Sequence, residues 1–122
     1  MNDTFTASII NCNTPDKYGR IYPTDVIQKA IDKIDYSLLG VLGVSEGMEI
    51  PLGDVAFIVS NLAINGDDIL IGDVRVLNTQ KGYQMKTILK DLEFKPAGTG
   101  ICDKDGKVSE YQLLYISAIL KE

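Results

Sequence analysis

An Asn65-Gly66 pair between two apolar, β-branched segments, residues 55–64 and 69–77, constrains the fold of this chain most. Both residues of the pair accept the positive φ angles of a tight type I′ turn, so the sequence predicts an antiparallel hairpin. Two aspartates follow the pair and allow a longer loop. A second hairpin is predicted at Asp105-Gly106, with residues 108–120 as its long return strand.

The rest of the chain adds two strands and two helices. Residues 4–12 alternate between polar and apolar side chains, and residues 38–44 form a short apolar run, so both are read as strands. A helix is predicted after Pro23, with Thr24 as its N-cap and an apolar stripe at positions 26, 27, 30, 31 and 34. A second helix is predicted after Thr79, with a stripe that runs from Met85 to Leu92. Residues 95–100, Lys-Pro-Ala-Gly-Thr-Gly, are predicted to form an irregular loop.

These segments predict a strand-rich α+β fold, a β-barrel-like sheet of about six strands with two flanking helices. The 122 residues suit one domain, residues 1–122, and contain no internal repeat or linker. The net charge of -5 argues against direct binding to nucleic acid or anionic lipid, since phosphate recognition depends on Lys and Arg. We expect no membrane association, because no apolar run approaches the length of a membrane span and the N-terminus has no signal-peptide pattern.

The sequence offers little for catalysis or for metal binding. It contains no His, which removes the commonest general base and the usual zinc ligand. A nucleophilic Ser would need a Lys or carboxylate partner, and no Ser-x-x-Lys motif occurs. Asp103–Gly106 lacks the spacing of a calcium loop, and residues 96–100 lack the Lys of a phosphate-binding loop. We therefore expect no catalytic residue, metal or cofactor, and we expect Cys12 and Cys102 to be reduced, buried and structural.

Residues 13–23, NTPDKYGRIYP, resemble the start of the prohead maturation proteases of tailed bacteriophages. In that family an Asn-Gly-Arg-x-Tyr-Pro motif leads into a helix, as is predicted here. Residues 40–44 fall where the family has a Gly-Glu-Leu-x-His segment. Residues 54–66 and 72–82 match its central hairpin and helix entry, and residues 110–119 match its closing strand. The resemblance covers nearly the whole chain and implies the fold of an assemblin-like protease.

This chain departs from that family at each catalytic position. The family's His would fall at about Val44, its nucleophilic Ser within residues 96–100, and its acidic residue near Ser117. None of these positions holds the family's residue, so the resemblance carries over no catalytic role. It implies instead a catalytically inactive, capsid-associated relative. Two alternatives remain open at this point: an active maturation protease with a rebuilt site, and a transient assembly scaffold or adaptor.

The resemblance further implies an auxiliary or decoration protein that binds the assembled capsid. Its expected partners are the major capsid protein or other head proteins, and a homo-oligomer is compatible with this role. The negative charge favours a place on the exterior of the virion, away from packaged DNA, after synthesis in the host bacterial cytoplasm. Binding residues gather on loops held by a rigid scaffold. The expected contact residues are Lys17, Tyr18, Arg20, Tyr22, Glu46, Met48, Glu49, Lys95, Pro96 and Thr99.

Overall fold

The computed structural model describes residues 4–43 and 52–121 of the chain. These ranges contain six strands, two α-helices and two short 3₁₀ turns, Leu52–Asp54 and Leu89–Asp91. The helices are α1 (Thr24–Asp32) and α2 (Gln80–Thr87). The strands are β1 (Thr4–Asn11), β2 (Leu38–Leu42), β3 (Val55–Ile64), β4 (Ile69–Val76), β5 (Leu92–Cys102) and β6 (Val108–Leu120).

The six strands form one curled sheet in the order β1-β4-β3-β2-β6-β5. Neighbouring strands are antiparallel except β2 and β6, which run parallel. The two edge strands, β1 and β5, come into contact across the curl, where the ring centroids of Phe5 and Phe94 are 5.7 Å apart. This half-barrel with two helices confirms the predicted strand-rich α+β fold.

The β3–β4 hairpin forms as predicted, but its turn is not type I′. The side-chain oxygen Oδ1 of Asn65 accepts hydrogen bonds from the amides of Asp67 and Ile69, and Asp68 rather than Gly66 takes a positive φ, 59°. The aspartates therefore lengthen the loop and move its left-handed residue to the last position. Such a turn suits a hairpin, because a type I turn followed by one left-handed residue matches the strand twist.

The two helices differ in how their N-termini are satisfied. Thr79 caps α2 as predicted, since its Oγ1 accepts a hydrogen bond from the Gly82 amide at 3.0 Å. The predicted cap at Thr24 is wrong, because Pro23 holds the N-cap position and Thr24 is already helical. Asn13 reaches across from the preceding loop instead. Its Oδ1 accepts from the Thr24 amide at 3.2 Å, and its Nδ2 donates to Thr24 Oγ1 at 2.8 Å.

The core lies inside the curl and beneath the helices. α1 packs on β6 and β3, and α2 packs mainly on β3. The predicted apolar stripe of α2 ends early, since α2 stops at Thr87 and Leu92 already begins β5. Fully buried side chains from both helices and four of the strands make up the centre of this core: Ile27, Leu38, Phe57, Val59, Leu70, Val74, Met85 and Ile116.

Residues 95–100 depart most from the sequence prediction, because they are not a loop but the middle of β5. Each pairs with β6, from Lys95 opposite Ser117 to Gly100 opposite Tyr111. Pro96 is tolerated here since β5 is an edge strand, where a missing amide hydrogen can face away from the ladder.

The two cysteines are free, but only Cys12 is buried. Cys102 lies exposed at the end of β5, so the expectation that both thiols are buried is wrong for Cys102. No helix in the described ranges is both long and apolar enough to span a membrane.

Candidate functional site

The strands that lead to the three catalytic positions of the resembling family meet in one part of the sheet. Ser117 of β6 lies directly between Val41 of β2 and Lys95 of β5. Just beyond β2, the Gly43 amide donates to the Ala118 carbonyl oxygen at 2.9 Å, which holds the end of β2 against β6. Val44, the next residue, falls outside the described residues. The fold therefore gathers these strands whichever side chains they carry.

Ser117 and Lys95 are the chemically interesting pair in this region. Ser117 is the one polar residue among those described that is buried, at 9% exposure. Directly opposite residues of an antiparallel pair share a sheet face, so Lys95 lies across from Ser117 on the same face. The Lys95 side chain is 48% exposed, and its Nζ lies 3.8 Å from Glu93 Oε2. A lysine acts as a general base where its ammonium is desolvated, and the Lys95 side chain is instead half-exposed to solvent.

The segment that matches the family's nucleophile, residues 96–100, is closely covered by β6. A Cβ atom on Gly98 would overlap the carbonyl oxygen of Gln112, and one on Gly100 would overlap that of Glu110. The Tyr111 side chain also lies against both glycines. Thr99 carries the only hydroxyl of the segment and lies exposed opposite Gln112. A side chain fits at neither glycine position without moving the β6 backbone.

Residues 13–22, which we call the 13–22 loop, form a rigid projection beside this end of the sheet. Asp16 organises it, since its Oδ1 accepts from the amides of Tyr18 and Arg20, both at 2.9 Å, and its Oδ2 accepts from Arg20 Nε at 3.0 Å. Burial alone raises the pKa of the Asp16 carboxyl, but the hydrogen bonds from Arg20 and Tyr18 outweigh it and lower that pKa overall. The carboxylate therefore stays ionised and holds the loop together.

The exposed tip of the 13–22 loop combines an aromatic ring with two cations. Tyr18 is 71% exposed, and the Arg20 guanidinium carbon lies 5.1 Å from its ring centroid, with Lys17 Nζ at 5.2 Å. Cations at this distance from a ring are attracted to its face. Tyrosine and arginine are also the residue types that most often dominate the energy of protein interfaces. Three of the predicted contact residues are thus adjacent and accessible.

Tyr22, the fourth predicted contact residue of the loop, is buried at 7% exposure and offers almost no surface to a partner. Its ring meets that of Tyr111 on β6 in a T-shaped contact, with centroids 5.3 Å apart. Burial raises the pKa of both phenols, so both stay protonated. Because Tyr111 in turn lies against Gly98 and Gly100, this contact joins the 13–22 loop to β5.

The other predicted contact residues are divided between β5 and a part of the chain without description. Lys95 and Thr99 are exposed on β5, and Pro96 is partly buried between them. Glu46, Met48 and Glu49 lie outside the described residues. Among the described residues, no group of three or more acidic or cysteine side chains is placed to hold a metal ion.

The sequence reasoning missed the turn between β5 and β6 as a support for the 13–22 loop. The Ile21 amide donates to the Gly106 carbonyl oxygen at 2.8 Å, and the Val108 amide donates to Ile21 at 2.9 Å. A signal was present, since Asp-x-x-Gly occurs both at Asp16–Gly19 and at Asp103–Gly106. In both loops the aspartate Oδ1 accepts from the amides two and four residues later.

Comparison with known proteins finds a likeness among solved structures but none among sequences. No protein-family model matches the chain, and no curated protein sequence matches it. Among solved structures, the chain is similar to the capsid assembly protease gp21 of bacteriophage T4, with a TM-score of 0.78 and 17% sequence identity. The alignment covers 98% of this chain and 82% of that protein. At this level of identity, the similarity shows that the two chains share a fold.

Proposed function

We propose that this protein is a non-enzymatic auxiliary or decoration subunit that binds the assembled capsid of a tailed phage. The observation that carries the proposal is the fold that this chain shares with the T4 capsid assembly protease over 98% of its length. At the positions where the resembling family has its catalytic residues, this chain has no nucleophile paired with a base. Function follows from sites rather than from folds, so the side chains at these catalytic positions decide between binding and catalysis.

Three features argue against peptide cleavage. The chain has no His, so an imidazole base is absent at any position. Gly98 and Gly100 have no room for a nucleophilic side chain. In the remaining pair, Ser117 and Lys95, the lysine is half-exposed and lies beside Glu93 rather than in a desolvated site. A buried hydroxyl with no base gains none of the rate that nucleophile activation supplies.

The accessible tip of the 13–22 loop supports the binding role. Arg20 lies over the Tyr18 ring, and Asp16 accepts two backbone hydrogen bonds and one from the Arg20 side chain, so little side-chain freedom is lost when a partner binds. The Tyr22–Tyr111 contact anchors this loop against Gly98 and Gly100 of β5, which flank the predicted contact residue Thr99. The net charge of -5 favours the outside of the shell, since packaged DNA repels an acidic protein.

Co-sedimentation with purified capsids of the phage that encodes the chain tests the binding role. The wild-type protein should pellet with mature capsids, and Tyr18→Ala should weaken this association several-fold, because exposed interface tyrosines contribute strongly. Tyr36→Ala is the matched control, since Tyr36 is 63% exposed and lies outside the 13–22 loop. Absence of the wild-type protein from mature virions, with presence in precursor particles, would support the scaffold alternative instead.

An active protease is the second candidate, favoured by the activity named for the structural neighbour. Incubation of the protein with its cognate capsid precursor tests it, with Ser117→Ala as the diagnostic variant. We expect no specific cleavage by the wild-type protein. Cleavage that Ser117→Ala abolishes and Ser109→Ala preserves would establish a rebuilt active site and overturn the non-enzymatic proposal.

A further inference from the structure

A cleft of about 720 Å³ opens where the two edges of the curled sheet approach each other, away from the 13–22 loop. One wall is β1, residues 6–8, and the other is the start of β5, residues 92–94. The end of α2 and the 3₁₀ turn Leu89–Asp91 close one side. A cavity of this size accommodates a few side chains rather than a folded domain.

The strands on both walls of the cleft are the two edge strands of the sheet. Within the described residues, β1 pairs only with β4, and β5 pairs only with β6, so the facing edges have no strand partner. Unpaired edges accept extended peptides by adding a strand, which supplies main-chain hydrogen bonds. Pro96 limits pairing further along β5, and the cleft lies before it.

The side chains of the cleft form an apolar floor with a basic rim. Phe5, Leu92 and Phe94 make the floor. Lys86, Lys90 and Lys121 stand on the rim, and Lys121 Nζ is held near the turn by a 3.1 Å hydrogen bond to the Lys90 carbonyl oxygen.

Glu93 is the one acidic residue that lines the cleft among those described, and it lies within 3.8 Å of Lys95 Nζ. The rim is therefore locally basic in a chain whose net charge is -5. The rim of the cleft is thus positively charged although the net charge of the chain is negative, which favours an acidic partner.

We propose that this cleft binds an extended segment of a partner protein in which apolar and acidic side chains alternate. In an extended chain, successive side chains point to opposite sides. Alternate apolar side chains then contact the Phe5–Phe94 floor, while the carboxylates between them lie along the lysines. Opposite charges at such a rim raise the association rate and select against basic segments. This surface is separate from the capsid-binding tip of the 13–22 loop and does not depend on it.

Fluorescence anisotropy with a synthetic probe tests the cleft. The probe is a fluorescein-labelled ten-residue peptide of alternating glutamate and valine, and a lysine–valine peptide of the same length is the comparison ligand. We expect saturable binding of the glutamate peptide and none of the lysine peptide. The double variant Lys90→Glu/Lys121→Glu should weaken binding at least about tenfold, because it reverses two of the three rim charges.

The matched control is Lys104→Glu/Lys107→Glu, which makes the same change in net charge on the β5–β6 turn, and binding to it should stay within about twofold of wild type. Circular dichroism and thermal melting of both variants confirm that they remain folded. The proposal is overturned if the wild-type protein does not bind the glutamate peptide, if both variants lose affinity equally, or if sedimentation shows that a second copy of the chain occupies the cleft.

Discussion

The ring of Tyr22 meets the ring of Tyr111 edge to face, with 5.3 Å between centroids and 77° between planes. This contact holds the 13–22 loop on β6, and Tyr111 at the same time covers Gly98 and Gly100 of β5. The position of the loop and the packing of the β5–β6 hairpin are therefore coupled. A substitution of either ring should therefore affect the 13–22 loop and the predicted contact residues of β5 together.

Tyr22→Ala should destabilise the protein by about 3 kcal/mol, because it removes a buried aromatic ring and its edge-to-face contact with Tyr111. Urea denaturation measures this change. Tyr18→Ala is the matched control, since Tyr18 lies four residues away on the same loop but is 71% exposed. Its cost should stay below about 1 kcal/mol, the value of an exposed cation–π contact. Equal losses for the two variants would show that Tyr22 does not hold the loop.

Asp16→Asn should remove a stabilisation that depends on pH. Burial raises the pKa of this carboxyl, but the Arg20 and Tyr18 hydrogen bonds lower it below its ordinary value of 3.8 in the folded state. A lowered folded pKa means that the stabilisation is present above the unfolded pKa and is lost as pH falls through the folded pKa.

The free energy of unfolding of Asp16→Asn should therefore lie about 1 kcal/mol below wild type at pH 7, a typical value for a hydrogen bond with a charged partner reduced by exposure. The difference should shrink at pH 3 and below. Asp105→Asn, in the corresponding turn between β5 and β6, is the control, because the Asp105 side chain makes no hydrogen bond to a described residue. A difference that is constant from pH 7 to pH 2 would contradict the ionised-carboxylate account.

Local sequence signals predicted most of the elements, because each strong signal describes a short-range interaction. The Asn65-Gly66 pair, the Thr79 cap and the apolar stripe of α1 each depend on residues within a few positions of one another. Residues 95–100 of β5 were wrongly predicted as a loop, because their pairing with β6 depends on residues distant in sequence. Pro96 is acceptable only at a sheet edge, and Gly98 is needed because a Cβ there would overlap the Gln112 carbonyl oxygen and the Tyr111 side chain of another strand.

In the candidate site, too, short-range features were predictable from the sequence and long-range contacts were not. The composition of the 13–22 loop predicted its exposed tip, since Tyr18 and Arg20 interact within the loop. The contacts between this loop and the β5–β6 turn join residues that are far apart in sequence. The same is true of the residues that line the cleft between β1 and β5. Burial along β6 does not alternate either: Tyr115, Ile116 and Ala118 are all buried, because other elements cover both faces of that strand.

Asp68→Gly should stabilise the protein by up to about 1 kcal/mol. Three loops share one hydrogen-bond pattern, and their left-handed residues are Gly19, Asp68 and Gly106. Only Asp68 carries a Cβ that the left-handed region disfavours. Gly106→Ala is the opposite change and should cost more than about 1 kcal/mol, since the added Cβ would also overlap the Gly19 carbonyl oxygen. Thermal melting ranks the two variants, and a destabilised Asp68→Gly protein would show that the aspartate side chain contributes more than its backbone strain costs.

The two thiols should react with a thiol reagent at very different rates. Burial raises the pKa of the Cys12 thiol, and the nearby Asp68 carboxylate raises it further, so little reactive thiolate forms. Cys102 is exposed at the end of β5. Titration with Ellman's reagent at pH 8 should therefore modify one thiol per native chain and two per chain in urea. Cys102→Ser should abolish the fast phase, and Cys12→Ser should leave it intact. Fast modification of Cys12 in the native protein would mean that the end of β1 opens readily, because Cys12 follows β1 directly and its amide is hydrogen-bonded to the Asp68 carbonyl oxygen.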